Sequence, residues 1–530
     1  MSTDTAVDHG ILFYPRGGSS LVVKNLAEQT LAANRQARVF AGSLGQPGAY
    51  SHAPTFYGGL PLTVSDYNPA VRAHAHGGDA LAQAVPLHPS YEDRVDVADR
   101  VFAAVAPHTA NAIENYWLRH LATHQAGVAR VLHLHHLTPL HGIARRDDVP
   151  VVTTLHGTEL KFLANAQRRL RLADALGLSV AELGRQYRAT PRSILRRISQ
   201  SAYAPGPDEA EVLLTDRWHM WTHARHWVDR LRSYARASAR IVAISEQDHA
   251  LAQSLAGVPD SLIDIVPNGV DTDRFASAGP FGDSDRHKIL TRWLVDDPQG
   301  WADGKEPGSI RYTAADVRRI LHDGQGRRRP LLLWVGRFLA FKHLNLLLQA
   351  MAALRDRAQV RPALLILGGH PGEWEGIHPY TLALDLGITD DVFFAGWRPY
   401  SDLVDGLRCS DLFTAPSVDE PFGLVYLEAM ASGTPVIASA SGGPLGYVTT
   451  SGPRATGWLP APGDLAGLVA AIEEALGNPA ELARRGEAAR RTTHEHYSWQ
   501  SITPRYFEIY DRALADRPES TTRPTLPLVR

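Results

Sequence analysis

The sequence predicts an α/β chain of two Rossmann-like, doubly wound domains, and three observations predict it. The chain has 530 residues, more than one ordinary core accommodates and enough for two large domains. Short, wholly apolar runs bounded by turn residues recur through both halves, and such runs suit parallel strands buried on both faces. Helical patterns lie between many of them, which is the rhythm of βαβ units.

In the first half the runs place strands at about Ile11–Tyr14, Ala37–Ala41, Arg130–His135, Val151–Leu155 and Arg240–Ile244. In the second half they fall at about Leu331–Val335, Ala363–Leu367, Val392–Ala395, Leu412–Ala415 and Val436–Ala438. Two stretches break the rhythm. Residues 162–234 are rich in Leu, Arg and Ala with Pro and Gly interruptions, the pattern of a helical insertion in the N-terminal domain. Residues 276–329 are polar and Gly-containing and end on Arg327-Arg328-Arg329, which reads as a solvated loop rather than a binding patch. Val266-Pro267-Asn268-Gly269 interrupts the sheet pattern, so the domain boundary falls between Ser245 and Val270. The expected organisation is an N-terminal domain over 1–258, a second domain over 259–498, a C-terminal helix over 499–515 returning to the first domain, and a disordered tail over 516–530 rich in Pro, Thr and Arg.

Composition removes several function classes. Basic and acidic residues balance at 54 and 56, which gives no reason to expect a nucleic-acid partner. Cys409 is the single cysteine, so no intrachain disulfide and no cysteine metal cluster can form; it reads as a small core residue near a helix end. The first ten residues lack the basic start and apolar run of a signal peptide, and no run approaches the ~18 apolar residues of a membrane span. A cytoplasmic location is the default expectation, and the abundance of Ala and Arg suggests a GC-rich bacterial source.

The chemistry concentrates in the second half. After the strand ending at Ala415 comes Pro416-Ser417-Val418-Asp419-Glu420-Pro421-Phe422-Gly423-Leu424, and then a helix. The carboxyl end of a parallel strand is where open α/β sheets bind ligands. The first helix amides, around Phe422, Gly423 and Leu424, have no intrahelical acceptor and suit an anion. Glu428 stands among Leu424, Val425, Leu427 and Met430. Buried there it requires donors, which two ribose hydroxyls would supply; the alternative is a glutamate on a solvent-facing stripe. The strand before Gly336 is followed by Arg337 and Lys342. Together they can neutralise a diphosphate without a metal ion, or they are surface charges.

Gly336-Arg337-x4-Lys342, Pro416-Ser417-x2-Glu420-Pro421-Phe422-Gly423, the Glu420/Glu428 pair and Ala429-Met430-Ala431-Ser432-Gly433-Thr434-Pro435 together resemble the family 4 retaining glycosyltransferases of the GT-B fold. Ile265 to Asp271, Thr456-Gly457-Trp458-Leu459 and Tyr497-Ser498-Trp499 resemble the start and end of that family's donor domain. The resemblance implies two Rossmann-like domains facing a central cleft, an acceptor domain first and a nucleotide-sugar donor domain second. It implies that Arg337 and Lys342 hold the diphosphate and that Glu428 binds the ribose. Glu420, with the amides of Phe422, Gly423 and Leu424, would hold the donor sugar, and the loop at Gly396-Trp397-Arg398 would contact the base. One departure is Gly442-Gly443-Pro444-Leu445-Gly446, where Gly446 replaces an acid often seen there.

In the first half, Tyr14-Pro15-Arg16-Gly17-Gly18 opens a helical pattern, without the Gly-x-Gly-x-x-Gly of a dinucleotide enzyme. By resemblance Gly17 and Gly18 form the glycine loop facing the donor phosphates, and His156 contacts the donor sugar near its reacting carbon; a core or surface histidine is the alternative. His133, His135, His136 and His141 cluster at one strand end, but with no acid or cysteine pattern beside them no metal is expected, and no cofactor beyond the nucleotide sugar as co-substrate. The expected reaction is metal-independent hexosyl transfer, with retention, from a UDP- or GDP-sugar to a sugar or small-molecule natural product. Rival readings are an epimerase or phosphorylase on the same fold, or a non-catalytic nucleotide-sugar binder.

Overall fold

The computed structural model describes residues 6–516 apart from 95–96, 123–129, 146–148, 202, 204, 207–208, 211–212, 215–216, 277–280, 358–360 and 372. Internal contacts divide the chain into unit 1, Met1–Val266 with Thr503–Arg530, and unit 2, Pro267–Ile502.

Unit 1 carries a seven-stranded parallel sheet of β1 (Ala6–Ile11), β2 (Gln36–Ser43), β3 (Leu62–Asp66), β4 (Arg130–His135), β5 (Val151–Thr154), β6 (Arg240–Ala243) and β7 (Ile263–Ile265). Their order is β3-β2-β1-β4-β5-β6-β7. The order reverses direction between β1 and β4, so the carboxyl ends of these two strands flank a topological switch point. The first strand lies earlier than the apolar run at Ile11–Tyr14 suggests, because it contains Asp8 and His9. Asp8 is tolerated at 3% exposure because Arg38 clamps it through Nε and Nη2, at 2.9 and 2.8 Å, and Arg130 Nη1 reaches both oxygens at 2.9 Å. The register sets this up, since Asp8 pairs with Arg38 on one side and Ala6 with Arg130 on the other. Strands β3 and β7 escaped the sequence reading because they are edge strands, only partly buried, and so lack a fully apolar run.

Among its described residues the 162–234 stretch holds helices over Thr158–Ala175, Val180–Ala189, Pro191–Ser199 and Ala224–Ala237. Ser179 caps the second by accepting from the Glu182 amide, and Pro191 sits in the first turn of the third. Phe162, Leu183, Ile194, Trp227 and Leu231 are buried in the same core as the sheet, and the Trp227 indole donates to the Val105 carbonyl at 2.9 Å.

Unit 2 carries a six-stranded parallel sheet of β8 (Leu331–Gly336), β9 (Ala363–Gly368), β10 (Val392–Gly396), β11 (Leu412–Ala415), β12 (Val436–Ala438) and β13 (Gly457–Trp458). The order is β10-β9-β8-β11-β12-β13, with its switch point between β8 and β11. The β13 strand is only two residues long, too short to stand out as an apolar run. The described residues of the 276–329 stretch have secondary structure of their own. They include helices over Asp283–Thr291 and Ala314–Leu321, the second with a capping box between Thr313 and Asp316, and they bury Leu290, Trp293, Val317 and Ile320. The basic triplet divides accordingly. Arg327 pairs with Asp323 at the surface and Arg328 with Asp411. Arg329 is buried against Asp391 and donates to the Arg361, Arg319 and Pro362 carbonyls. Its acid partner is 62 residues away in sequence, which is why the triplet reads as solvated.

Cys409 ends the helix Tyr400–Cys409 and is fully buried, with burial pushing its thiol pKa up. The start and end of unit 2 meet where the Val270 amide donates to the Tyr497 carbonyl at 2.8 Å. The helix Trp499–Ala515 has its first turn in unit 2 and the remainder in unit 1, where Tyr506 and Tyr510 are buried. Of the tail, Asp516 pairs with Arg240 at 2.6 Å, while 517–530 lie outside the described residues. Among the described residues no helix is long and apolar enough to cross a membrane.

Candidate active site

In unit 2 the singled-out residues follow the carboxyl ends of strands: Arg337 and Lys342 after β8 and Glu420 to Glu428 after β11, on either side of the switch point, and Trp397 and Arg398 after the outer strand β10. Arg337 is the residue after β8 and is exposed, and Lys342 ends a short turn over Ala340–Lys342. The following loop, after β11, is tied to this one. The Val418 amide donates to the Phe341 carbonyl at 2.8 Å, and Lys342 Nζ pairs with Glu420 Oε2. Glu420 is 7% exposed, so the ion pair is largely withdrawn from water and fixes the ammonium in one place.

The helix Leu424–Ala431 starts from Gly423, whose left-handed backbone (φ 80°) turns the chain sharply from loop to helix. A Cβ at Gly423 would meet the Tyr426 ring at 2.6 Å and Glu420 Cγ at 3.0 Å. Phe422 is buried, and Tyr447 Oη donates to the carbonyls of Phe422 and Gly423, bracing the turn. Leu424 is the first helical residue.

Glu428 is 4% exposed, so it is not on a solvent stripe. Burial pushes its carboxyl up to about 7, while a hydrogen bond from Tyr400 and the charge of Arg274 hold the shift back. Tyr400 Oη donates to Glu428 Oε1 at 2.7 Å, and the Arg274 guanidinium lies 5.4 Å from the Tyr400 ring centre. A carboxylate whose charge is disfavoured by burial suits a ligand that brings two hydroxyl donors.

The loop after β10 divides its two residues. Trp397 is 49% exposed. Arg398, in contrast, spends its guanidinium on the protein: it donates to the Ala395, Trp293 and Asp297 carbonyls and pairs with the Asp297 carboxylate at 2.7 Å. Its side chain anchors this loop to the 276–329 region.

Several residues of this site were not picked from sequence. Tyr400 stands two positions after Arg398, and that proximity was the available signal. Ser441, Gly442 and Gly443 hold the acidic loop from behind. The Ser441 hydroxyl accepts from the Asp419 amide at 3.0 Å and donates to Asp419 Oδ1 at 2.9 Å, and the Gly443 amide donates to the Glu420 carbonyl at 2.8 Å. Asp419 itself is left-handed (φ 53°). Gly446 is exposed, with open space around it.

In unit 1, Gly17 caps the helix Gly18–Ala32 with φ 99° and nothing within 4 Å of where a Cβ would stand, so its backbone is open to a ligand. Arg16 beside it pairs with buried Asp99 at 2.7 Å. His156 follows β5 and is 9% exposed. Its Nε2 lies 3.1 Å from His135 Nδ1, and its amide donates to Glu159 Oε1 at 2.9 Å. Burial, and secondarily His136, pushes its imidazole down to about 3, so it is neutral at pH 7. Glu159 is fully buried; burial alone would raise its pKa, but His136 at 3.1 Å and His156 outweigh this and hold it at about 2. Of the other histidines in the sequence cluster, His136 turns to Glu159 and His141 bonds Thr153 and the Thr138 carbonyl, while His133 stays beside His135.

Known proteins resemble both halves. Residues 16–274 match the description Glycosyltransferase Family 4, and residues 319–492 match Glycosyl transferases group 1. A D-inositol 3-phosphate glycosyltransferase of Gordonia bronchialis is 37% identical over 198 residues, 36% of this chain and 42% of that protein. One of Salinispora arenicola is 30% identical over 304 residues, 54% and 60% of the two chains. A glycogen synthase of Mycobacterium tuberculosis is 40% identical over 136 residues, 26% and 32%. The matched stretches thus span between about a third and three fifths of these relatives' own lengths. Among solved structures, a sucrose-phosphate synthase from Thermosynechococcus elongatus aligns with a TM-score of 0.59 at 19% identity, over 97% of this chain and 99% of that one. An Anabaena HepE solved with UDP and glucose aligns at 0.54 and 15% identity, over 96% and 99%. These likenesses carry the fold, two Rossmann-like domains of the GT-B kind. With one family description matched in each half, the chain belongs to the family 4 glycosyltransferases, with the group 1 region in its second half.

Proposed function

We propose that the chain transfers a hexosyl group, with retention of anomeric configuration, from a nucleotide-diphosphate sugar to a sugar or other small-molecule acceptor. The observation that carries this reading is the joining of the two loops at the β8/β11 switch point through the Lys342–Glu420 pair, with buried Glu428 on the helix that follows. The assignment follows from charge and donors. Arg337, Lys342 and the amides of Phe422, Gly423 and Leu424 bind the diphosphate and stabilise it as it leaves, each well-placed donor contributing about 3 kcal/mol to the transition state. Glu428 accepts from the ribose hydroxyls. Glu420, held by Lys342, accepts from a hydroxyl of the donor sugar. Trp397 offers an apolar face to the base.

Unit 1 is assigned the acceptor. There Gly17 and Gly18 present open backbone, and neutral His156 can hydrogen-bond a sugar hydroxyl. The sugar–phosphate bond breaks with positive charge growing on the sugar carbon, and the departing phosphate takes the acceptor proton. Side-chain cations do the work of a metal ion in this scheme. The proteins resembled include inositol-phosphate glycosyltransferases and a structure holding UDP and glucose, which supports UDP-sugars and polyol acceptors as the first candidates, with GDP-sugars next to be tried.

Mass spectrometry of reactions with UDP-, GDP- and ADP-sugars, with and without sugar and polyol-phosphate acceptors, tests the proposal. It predicts an acceptor-dependent glycoside, and proton NMR of that product reads the anomeric configuration. Conversion of the nucleotide sugar with no acceptor present, or only with inorganic phosphate added, would replace transfer by epimerisation or phosphorolysis.

A further inference from the structure

We propose that His9, His133 and His135 form a binding site for one divalent transition-metal ion of the zinc class inside unit 1. The register brings them together. His9 on β1 pairs directly with His133 on β4, and His135 lies two residues further along β4, on the same face. Ring centres are 5.3 Å apart for His9 and His133, 5.8 Å for His9 and His135, and 4.3 Å for His133 and His135. One nitrogen from each lies within 4.8 Å of the others. A tetrahedral ion with bonds of about 2.1 Å needs ligand atoms about 3.4 Å apart, a contraction that small side-chain rotations supply.

Three imidazoles at 0% exposure are costly unless something satisfies them. Neither ring nitrogen of His9 has a hydrogen-bond partner, and neither does Nε2 of His135. A buried polar atom without a partner bears the full cost of leaving water. A metal ion would accept a lone pair from His9 and from His135 Nε2, which have no other partner. Burial lowers the pKa of all three, His9 to about 4, so they are neutral ligands at pH 7 and no proton has to be displaced. An all-imidazole set suits zinc, cobalt, nickel or copper and disfavours magnesium or calcium. His133 is the constrained member. Its Nδ1 lies 2.8 Å from Tyr510 Oη and its Nε2 2.7 Å from Thr154 Oγ1, and binding gives up one of these bonds. Coordination at His135 Nε2 leaves Nδ1–H to donate to His156 Nε2, so the ion would fix the tautomer of His156. His136 and His141, although part of the same sequence cluster, are already satisfied elsewhere.

The test uses the full chain without a polyhistidine tag, stripped with a chelator and titrated with Co2+. A visible d–d absorption saturating at one ion per chain is expected, displaced by Zn2+. His9→Gln and His135→Gln should each weaken binding more than tenfold, whereas the exposed His76→Gln should not change it. Circular dichroism reports whether the variants fold. On the unaltered chain, zinc X-ray absorption should show a first shell with three imidazoles, and saturating Zn2+ should raise the Tm. No saturable band, equal affinity in His9→Gln, or a first shell dominated by oxygen would overturn the site and leave a buried water as the occupant.

Discussion

Glu428 links protonation to ligand at the level of a single residue. Its folded pKa of about 7 lies above the ordinary 4.5, so the folded protein holds a proton that the unfolded chain has released between these values. Stability from this residue is therefore present below pH 4.5 and is lost as pH rises through 7, by ~3 kcal/mol in all. Ribose hydroxyls would favour the ionised form, so binding of UDP or GDP should tighten from pH 6 to pH 8, with proton release, as calorimetry in two buffers of different ionisation enthalpy can measure. Glu428→Gln should abolish this pH dependence, weaken nucleotide binding, and raise the Tm of the ligand-free protein at pH 8. Lys342→Ala should lower kcat/KM for sugar transfer about 100-fold with little change in circular dichroism, since one cation is removed from the leaving group. Wild-type turnover in that variant would remove its assigned role.

At the scale of elements, the loops at sheet ends are held by backbone geometry that few residues can adopt. Gly442 has φ 69°, and a Cβ there would stand 2.3 Å from the Glu420 carbonyl oxygen. Gly442→Ala should therefore cost ~1–3 kcal/mol in denaturant unfolding and depress turnover further, because the strain falls on the segment carrying Glu420. Strand β1 offers the contrasting case, with a buried charge serving the sheet. Asp8→Ala leaves Arg38 and Arg130 facing each other without their shared acid, and should destabilise unit 1 by about 3 kcal/mol. Equilibrium unfolding monitored by a probe in unit 1 measures it.

Across the whole molecule, the two units respond to pH with opposite signs at these sites. In unit 1 His9 and His141 are held at about 4 and His88 and His156 at about 3, with His133 and His135 also well below 6.5, in each case chiefly by burial. A histidine lowered in the folded state contributes stability that is complete above pH 6.5. It is lost as pH falls toward the folded value, at up to about 1.4 kcal/mol per pH unit each. Six such groups predict a steep acid transition of unit 1 between pH 6 and 4, visible as a falling Tm in calorimetric scans, while Glu428 in unit 2 becomes more favourable over the upper part of that range.

Much of this was legible in the sequence, because interior strands of a parallel sheet are apolar on both faces and announce themselves as runs: β4, β11 and β12 stand where the pattern puts them, and most of the others within a residue or two. The loop motifs were legible for a related reason, since Gly423, Glu420 and Glu428 follow a strand end at fixed spacing. What only the tertiary structure decided depends on partners far apart in the chain. Asp8 is neutralised by arginines 30 and 122 residues away, which hid β1. Arg398 is claimed by Asp297, 101 residues distant, and Arg329 by Asp391, so neither is free as its local context implies. His9 meets His133 only because β4 crosses to lie beside β1. Periodicity records which face of an element is buried, whereas charge pairing and ligand geometry arise where separate elements converge, and no local pattern encodes that convergence.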